Sequence, residues 1–315
     1  MKKINTDILI VGGGLTGLMT AFSLSILKKN IIIVDKGDFV FNHNKEEDKD
    51  IRTTAIAEGS KDFFQSIKIW NFLSKFAEPI LKIKVIDRSN TRDIDFLNTN
   101  SNKNLGYIIK NNILKKIILK QINKLKNIKI LQNFELTSIF YENSSIVAKS
   151  KNIFIKSEIL IAADGKNSAV RKITKTKTYK KKYNSFATVI NFTHTKNHLN
   201  IAHELFYDSG PLAILPMKDS FKNLYSSSVI WTNPSNQKFS PKLLKNKKMI
   251  TKILEEKIFN FVGEIKHVYG AQQFPLSAHI NHKFYDKRIL FLGDSAHSIH
   301  PIAGQGWNLG VKDIE

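Results

Sequence analysis

The sequence predicts an α/β protein in which a parallel-sheet domain is interleaved with a mostly antiparallel one. Three observations predict it: a β-α-β pattern at the N-terminus, two further buried-strand runs at 159–163 and 289–292, and a strand-rich stretch at 183–231. The run 7–11 (DILIV) is short, apolar and β-branched and ends on glycines, the pattern of a strand buried on both faces. Helical spacing follows over 15–27 and a second such strand over 31–34, which completes a β-α-β unit.

The remaining elements follow in order. A polar loop spans 42–50, and residues 52–57 lead into a helix starting near Ser60. Two strand-like runs between 83 and 97 flank Ser89-Asn90-Thr91. Residues 111–125 read as an amphipathic helix, and 128–161 as a strand and meander returning to the buried strand. Helical spacing recurs at 249–261, an extended run covers 268–280, and 289–292 (ILFL) passes through Gly293-Asp294 toward a last helix beginning near Trp307. The parallel-sheet signals therefore group 1–75, 101–180 and 281–315 into one nucleotide domain, with 76–100 and 181–280 forming a substrate domain.

At 315 residues, one large or two interlocked domains are expected. The 42% hydrophobic and 24% charged content is ordinary for a globular chain. A net charge of +22 raises nucleic acid as a partner. Against it, arginine occurs only at 52, 88, 92, 171 and 288, and the lysines are dispersed except for Lys175, Lys177, Lys180, Lys181 and Lys182, which read as a solvated loop. No nucleic-acid partner is expected. The chain has no cysteine, which excludes disulfides, thiolate metal sites and cysteine nucleophiles. Lys2 and Lys3 precede an apolar run that Asp7 and Gly12-Gly13-Gly14 cut too short for a signal segment, and no run reaches the roughly 18 apolar residues of a membrane span. A cytoplasmic location is expected, with peripheral association with the inner face of a membrane left open.

Gly12-x-Gly14-x-x-Gly17 lies between the first strand and the first helix. These glycines permit a tight turn, close approach of a pyrophosphate and close helix-to-strand packing, and the helix N-terminus offers free N–H groups. Asp35 ends the second strand 18 residues after Gly17, placed to accept from the hydroxyls of an adenosine ribose. The unit predicts dinucleotide binding but does not distinguish NAD from FAD.

The other end of the chain makes that choice. Gly293-Asp294-Ser295-Ala296-His297, followed by His300-Pro301-Ile302-Ala303-Gly304-Gln305-Gly306-Trp307-Asn308-Leu309-Gly310, resembles the signature of the ubiquinone-biosynthesis flavin hydroxylases, within the flavin monooxygenases similar to para-hydroxybenzoate hydroxylase. Ala163-Asp164-Gly165-Lys166-Asn167-Ser168-Ala169-Val170-Arg171 resembles that family's Asp-Gly fingerprint, and the segment from Arg52 to Ser60 resembles the one whose arginine reaches the flavin phosphate and ribityl region. Segments 105–112 and 229–234 agree, so the resemblance runs in order through the chain.

The resemblance implies an FAD/NAD(P)-binding Rossmann-like domain with an interleaved antiparallel substrate domain. It implies FAD held by Gly12, Gly14, Gly17, Asp35, Arg52, Asp164, Gly165, Gly293, Asp294, Gly304, Gly306 and Asn308. The glycine-rich loop of Pro301, Gly304, Gln305 and Gly306 would lie against the flavin ring, with no side-chain base assigned. The following helix would aim its N-terminus at the flavin edge where negative charge gathers. The implied activity is hydroxylation of the ring of a polyprenylated phenol with O2 through a flavin C4a-hydroperoxide, with NAD(P)H or another donor as reductant. Association with a biosynthetic complex or a membrane surface is a further implication.

Particular residues also bear on other readings. His297 and His300 suggest a metal pair, but no acidic or cysteine partner lies nearby in sequence, so loop or packing roles and no metal are expected. Trp307 divides between ring contact and packing, while Asp164 reads as a ribose or loop-capping residue rather than a base. A halogenase or reductase on the same fold is one alternative, although Trp70, Trp231 and Trp307 provide no Trp-x-Trp pair. Lys115 stands where relatives often carry Arg or Gln, which puts one flavin contact in doubt. Because relatives continue beyond the position of Glu315, an impaired or non-catalytic FAD-binding remnant is the second alternative.

Overall fold

The computed structural model describes residues 2–38, 50–87, 93–98, 103–218, 223–300 and 304–315. The chain forms two compact units: Met1–Glu47, Leu114–Lys181 and Ser277–Glu315 make the first, and Asp48–Ile113 with Lys182–Leu276 make the second. Segments 48–75 and 101–113, grouped with the nucleotide domain from sequence, fall in the second unit.

The first unit is built on a sheet whose order is Tyr285–Asp286, Ile289–Phe291, Ile153–Ala162, Lys2–Val11, Ile31–Val34 and Ile128–Leu131. The four pairings from Ile289–Phe291 to Ile128–Leu131 are parallel. Strands Ser138–Glu142 and Ser145–Lys149 add an antiparallel meander beside Ile153–Ala162. The first strand starts at Lys2, earlier than its apolar run, because Lys2–Thr6 pair residue by residue with Ile153–Ser157. Only its end is buried on both faces, where Leu9, Val11, Ile32, Leu160, Ala162 and Phe291 share one core cluster.

The second unit carries a mixed sheet in the order Ile265–Asn281, Thr178–His194, Tyr225–Pro234, Gly210–Met217, Ile201–Tyr207, Lys82–Asp87 and Asp93–Leu97. Its strands alternate between two faces. Leu205, Leu212, Val229 and Trp231 pack with helices Pro241–Lys245 and Lys247–Val262 on one face. Ile83, Ala202 and Leu215 meet a three-stranded sheet of Thr53–Ala57, Gly106–Lys110 and Glu78–Ile80 on the other. Residues 53–57, expected as the approach to a helix, form a strand with alternating burial, and the helix begins at Glu58. Thr-Thr-Ala-Ile-Ala is β-branched and period two, and Gly106–Lys110 supplies its partner. Ser89-Asn90-Thr91 lies outside the described residues.

Candidate cofactor site

The three fingerprint glycines do three different things. Gly12 has φ +116°, and a Cβ there would lie 2.2 Å from the carbonyl oxygen of Ala163, so backbone crosses backbone where no side chain fits. A Cβ on Gly17 would lie 1.9 Å from the Gly12 carbonyl oxygen, which holds helix Leu15–Leu24 against the strand. A Cβ on Gly14, by contrast, would meet nothing within 4 Å. Gly14 is also the N-cap of that helix, with no side-chain capping bond. The loop thus leaves open space against helix N–H groups that no side chain caps, which is the cradle a pyrophosphate requires.

Asp35 braces this loop from the end of Ile31–Val34. Its Oδ2 accepts from the Gly13 N–H at 2.6 Å and its Oδ1 from the Gly37 N–H at 2.8 Å. A carboxylate has about four acceptor sites, so capacity for a ribose hydroxyl remains. Asp164 Oδ2 accepts from the N–H groups of Ala169 at 2.6 Å and Val170 at 3.1 Å, the loop-capping role expected of it. Asp164 Oδ1 is buried without a partner, and burial pushes the carboxyl above the usual aspartate range against hydrogen bonds from Ser168, Val170 and Ala169. Gly165 follows at φ +76° with open space around it.

The C-terminal segment joins the same unit. Gly293 has φ +56°, and a Cβ there would meet Thr16 Oγ1 at 2.8 Å; Gly310 of the last helix, Gln305–Ile314, also approaches Gly293 closely. Asp313 Oδ2 accepts from the Gly293 N–H at 2.7 Å and from His297 Nε2 at 2.7 Å. Both side chains are largely buried. This latch joins His297, within the signature, to Asp313, beyond the quoted part of it, and it fixes the last helix to Gly293. The helix begins at Gln305, two residues earlier than expected, on Gly304 at φ +63° with no side-chain cap. Gly306 has open space around it, buried Asn308 donates to the Gly304 carbonyl at 3.2 Å, and Gln305 is exposed. Asp294 is exposed on a short 3-10 turn. Pro301 lies outside the described residues.

A buried polar relay ties the Asp-Gly segment to the Gly-Asp segment. Arg171, 7% exposed, donates from Nη1 to the Ser295 carbonyl at 2.9 Å and to His279 Nε2 at 2.9 Å, and from Nη2 to the Lys166 carbonyl. Because arginine only donates, His279 Nε2 must accept, which leaves its Nδ1–H to donate to Ser298 Oγ at 2.9 Å. Burial, helped by Arg171, lowers the His279 pKa to about 4. His279 was not singled out from sequence, where nothing marks a contact 108 residues from Arg171.

Arg52 belongs to the second unit. Its guanidinium makes a two-pronged pair with Asp50, both contacts 2.7 Å, and lies over the Phe274 ring at 5.4 Å. These residues line an open cavity of about 620 Å³ with Pro241, Leu244, Lys245 and Gln272. Lys115 is half-buried in the first unit. Among the described residues, no group of three His, Asp or Glu stands close enough to hold a metal, and no helix is long and apolar enough to cross a membrane.

An open glycine cradle, a buried carboxylate oxygen without a partner and a second uncapped helix start lie together in one parallel-sheet unit, an arrangement suited to a dinucleotide cofactor. The family described as FAD binding domain matches residues 5–315, and the chain belongs to it. Ubiquinone hydroxylase UbiL of Rhodospirillum rubrum is 28% identical over 310 residues, covering 98% of this chain and 70% of the relative. Ubiquinone hydroxylase UbiM of Neisseria meningitidis is 23% identical, covering 99% and 68%. The zebrafish (Danio rerio) ubiquinone biosynthesis monooxygenase COQ6 is 25% identical, covering 98% and 72%. Among solved structures, p-nitrophenol 4-monooxygenase PnpA from Pseudomonas putida aligns over 100% of this chain and 78% of its own, at TM-score 0.78 and 16% identity, a likeness of fold. The flavin-dependent monooxygenase PieE, in complex with FAD and substrate, aligns over 100% of this chain and 57% of its own, at TM-score 0.79 and 14% identity. The protein is an FAD-dependent monooxygenase with ubiquinone hydroxylases among its relatives; FAD is its cofactor, and NAD(P)H is the reductant typical of the family. The alternative of a non-catalytic remnant finds no support in these matches.

Proposed function

We propose that this chain hydroxylates the aromatic ring of a polyprenylated phenol, a precursor of ubiquinone. The observation that carries the reading is the open cradle at Gly14 within a family whose matching relatives are named ubiquinone hydroxylases. In this reading the first unit holds FAD and the second receives the phenol. Gly12, Gly14, Gly17 and Asp35 take the ADP half, with Arg52, Asp164, Gly165, Gly293 and Asp294 toward the phosphate and ribityl chain. The loop of Pro301, Gly304, Gln305 and Gly306, with Asn308, faces the ring. FAD, when bound, supplies the activation of O2. The protein orients the ring, excludes water and stabilises charge through the helix start at Gly304. A polyprenyl tail partitions into lipid, so peripheral association with a membrane belongs to the same reading.

The test is incorporation of oxygen. Purified FAD-loaded protein, given NADPH and a short-chain prenylated phenol under isotopically labelled O2, should yield a phenol carrying one labelled oxygen by mass spectrometry. NADPH oxidation that releases only hydrogen peroxide, with every prenylated phenol tried, would defeat the reading.

A further inference from the structure

The main sheet of the second unit has two unlike faces. Along Ile201–Tyr207, Leu205 enters the core beneath the helices, so Ala202 and Glu204 point to the opposite face. There the register sets Glu204 between Val85 and Ala213, then Ala213 beside Ile230 and Ile230 beside Val189. The adjacent row reads Ala202, Leu215, Ser228 and Asn191. Ala213, Leu215 and Ile230 are half-buried, whereas Leu212 and Ile214 on the helix face are buried. The result is an apolar row, half-buried at Val85, Ala213 and Ile230 and buried at Val189, with one carboxylate within it.

That carboxylate is chemically out of place. Among the described residues, it has no hydrogen-bond or ion-pair partner. The lysines of the neighbouring strand, Lys82 and Lys84, point to the other face and pair with Asp95 and Asp93. In the adjacent row, Ser228 Oγ and Asn191 Oδ1 are buried without partners. Burial alone raises the Glu204 pKa to about 7. Glu204 is half-buried, so its carboxylate keeps contact with solvent and a donor from outside can reach it.

Resting on the hydroxylase reading above, we propose that Glu204 receives the hydroxyl of the phenol substrate, accepting first its hydrogen bond and then its proton, while the half-buried Ala213 and Ile230 lie against the ring. In the transfer the phenol O–H bond breaks and a Glu204 O–H bond forms. The electron pair stays on the phenol oxygen and delocalises to the ortho and para carbons, where an electrophilic oxygen attacks. The proton returns to solvent after product leaves, and no redox change occurs in this step. A carboxylate near 7 lies closer to a phenol, at about 10, than an ordinary glutamate does, which suits it to the transfer.

The experiment compares a short-chain prenylphenol with its O-methyl ether on FAD-loaded protein by titration calorimetry. The parent protein should bind the phenol at least about tenfold more tightly than the ether, as a hydrogen bond to a charged acceptor predicts. Glu204→Gln, an isostere, should melt normally, retain FAD, reduce that preference to below about threefold and lower hydroxylation at least about tenfold. Ala213→Leu, which fills the space opposite Glu204, should weaken both ligands together. Undiminished preference in Glu204→Gln would overturn the role of Glu204 while leaving the hydroxylase reading standing. Failure of the parent protein to bind either compound would overturn both.

Discussion

Helices differ in how they begin, within each unit as well as between them: in the second unit Glu58–Ser66 starts on Ala57 with no side-chain cap, while two later helices are capped. In the second unit, Pro241–Lys245 and Lys247–Val262 start on Ser240 and Asn246, whose side chains accept from the N–H groups of Leu243 and Met249. In the first unit, Leu15–Leu24 and Gln305–Ile314 start on Gly14 and Gly304, with no side-chain cap. A polar cap uses a helix start to stabilise the fold, whereas a glycine leaves N–H groups and space for a ligand. The starts at Gly14 and Gly304 forgo the stabilisation of a side-chain cap at the two places where the cofactor's phosphates and ring are proposed to lie. The short helix Ala169–Ile173 of the first unit shows that the difference is local, since Ser168 and Asp164 both cap it.

The largest expected effect separates the two uses of glycine inside one loop. Gly12→Ala adds a Cβ at 2.2 Å from a carbonyl at a positive φ, which should cost about 3–5 kcal/mol and appear as a large fall in melting temperature with loss of bound flavin. Gly14→Ala enters open space, so the apoprotein should melt within about 1 kcal/mol of the parent while FAD affinity falls at least about tenfold. Equal melting losses in the two variants would erase the distinction between a packing glycine and a ligand-facing one.

The same distinction marks what sequence makes visible. The fingerprint, the second-strand aspartate and the buried parallel strands are local patterns, and each follows from spacing alone. The start of the first strand at Lys2 does not, because pairing with Ile153–Ser157, not hydrophobicity, makes those polar residues extended. The strand Thr53–Ala57 escapes too, because its partner lies 49 to 57 positions away, at Gly106–Lys110. Arg171 stands within a motif, but its partners His279 and Ser295 come from a segment over a hundred residues distant. No periodicity encodes such a contact.

A second pair of variants concerns the last helix. Asp313 accepts from the Gly293 N–H and from His297, so Asp313→Ala leaves two donors unpaired in a largely buried place. About 2–3 kcal/mol of stability should be lost, read by chemical denaturation of the apoprotein. Asp294 is exposed, and Asp294→Ala should leave that stability unchanged while weakening FAD by about 1–3 kcal/mol in a fluorescence titration. The reverse pattern would move the structural role to Asp294 and the ligand role to Asp313.

The smallest effect tests the caps directly. Ser240→Ala removes the acceptor for Leu243 N–H and should destabilise the protein by about 1 kcal/mol, with FAD affinity unaltered. Gly14→Ser does the opposite at the other kind of start, offering the first helix a hydroxyl where it has none. Serine exceeds glycine as a cap by only a few tenths of a kcal/mol, so the apoprotein should gain about that much. Flavin binding should fall, because the new side chain occupies open space beside the N–H groups proposed for the pyrophosphate. Stability and affinity moving in opposite directions at one residue is the signature of a helix start kept open for a ligand. If Gly14→Ser gains stability and holds FAD as tightly as the parent protein, the N–H groups at Gly14 do not carry the phosphates.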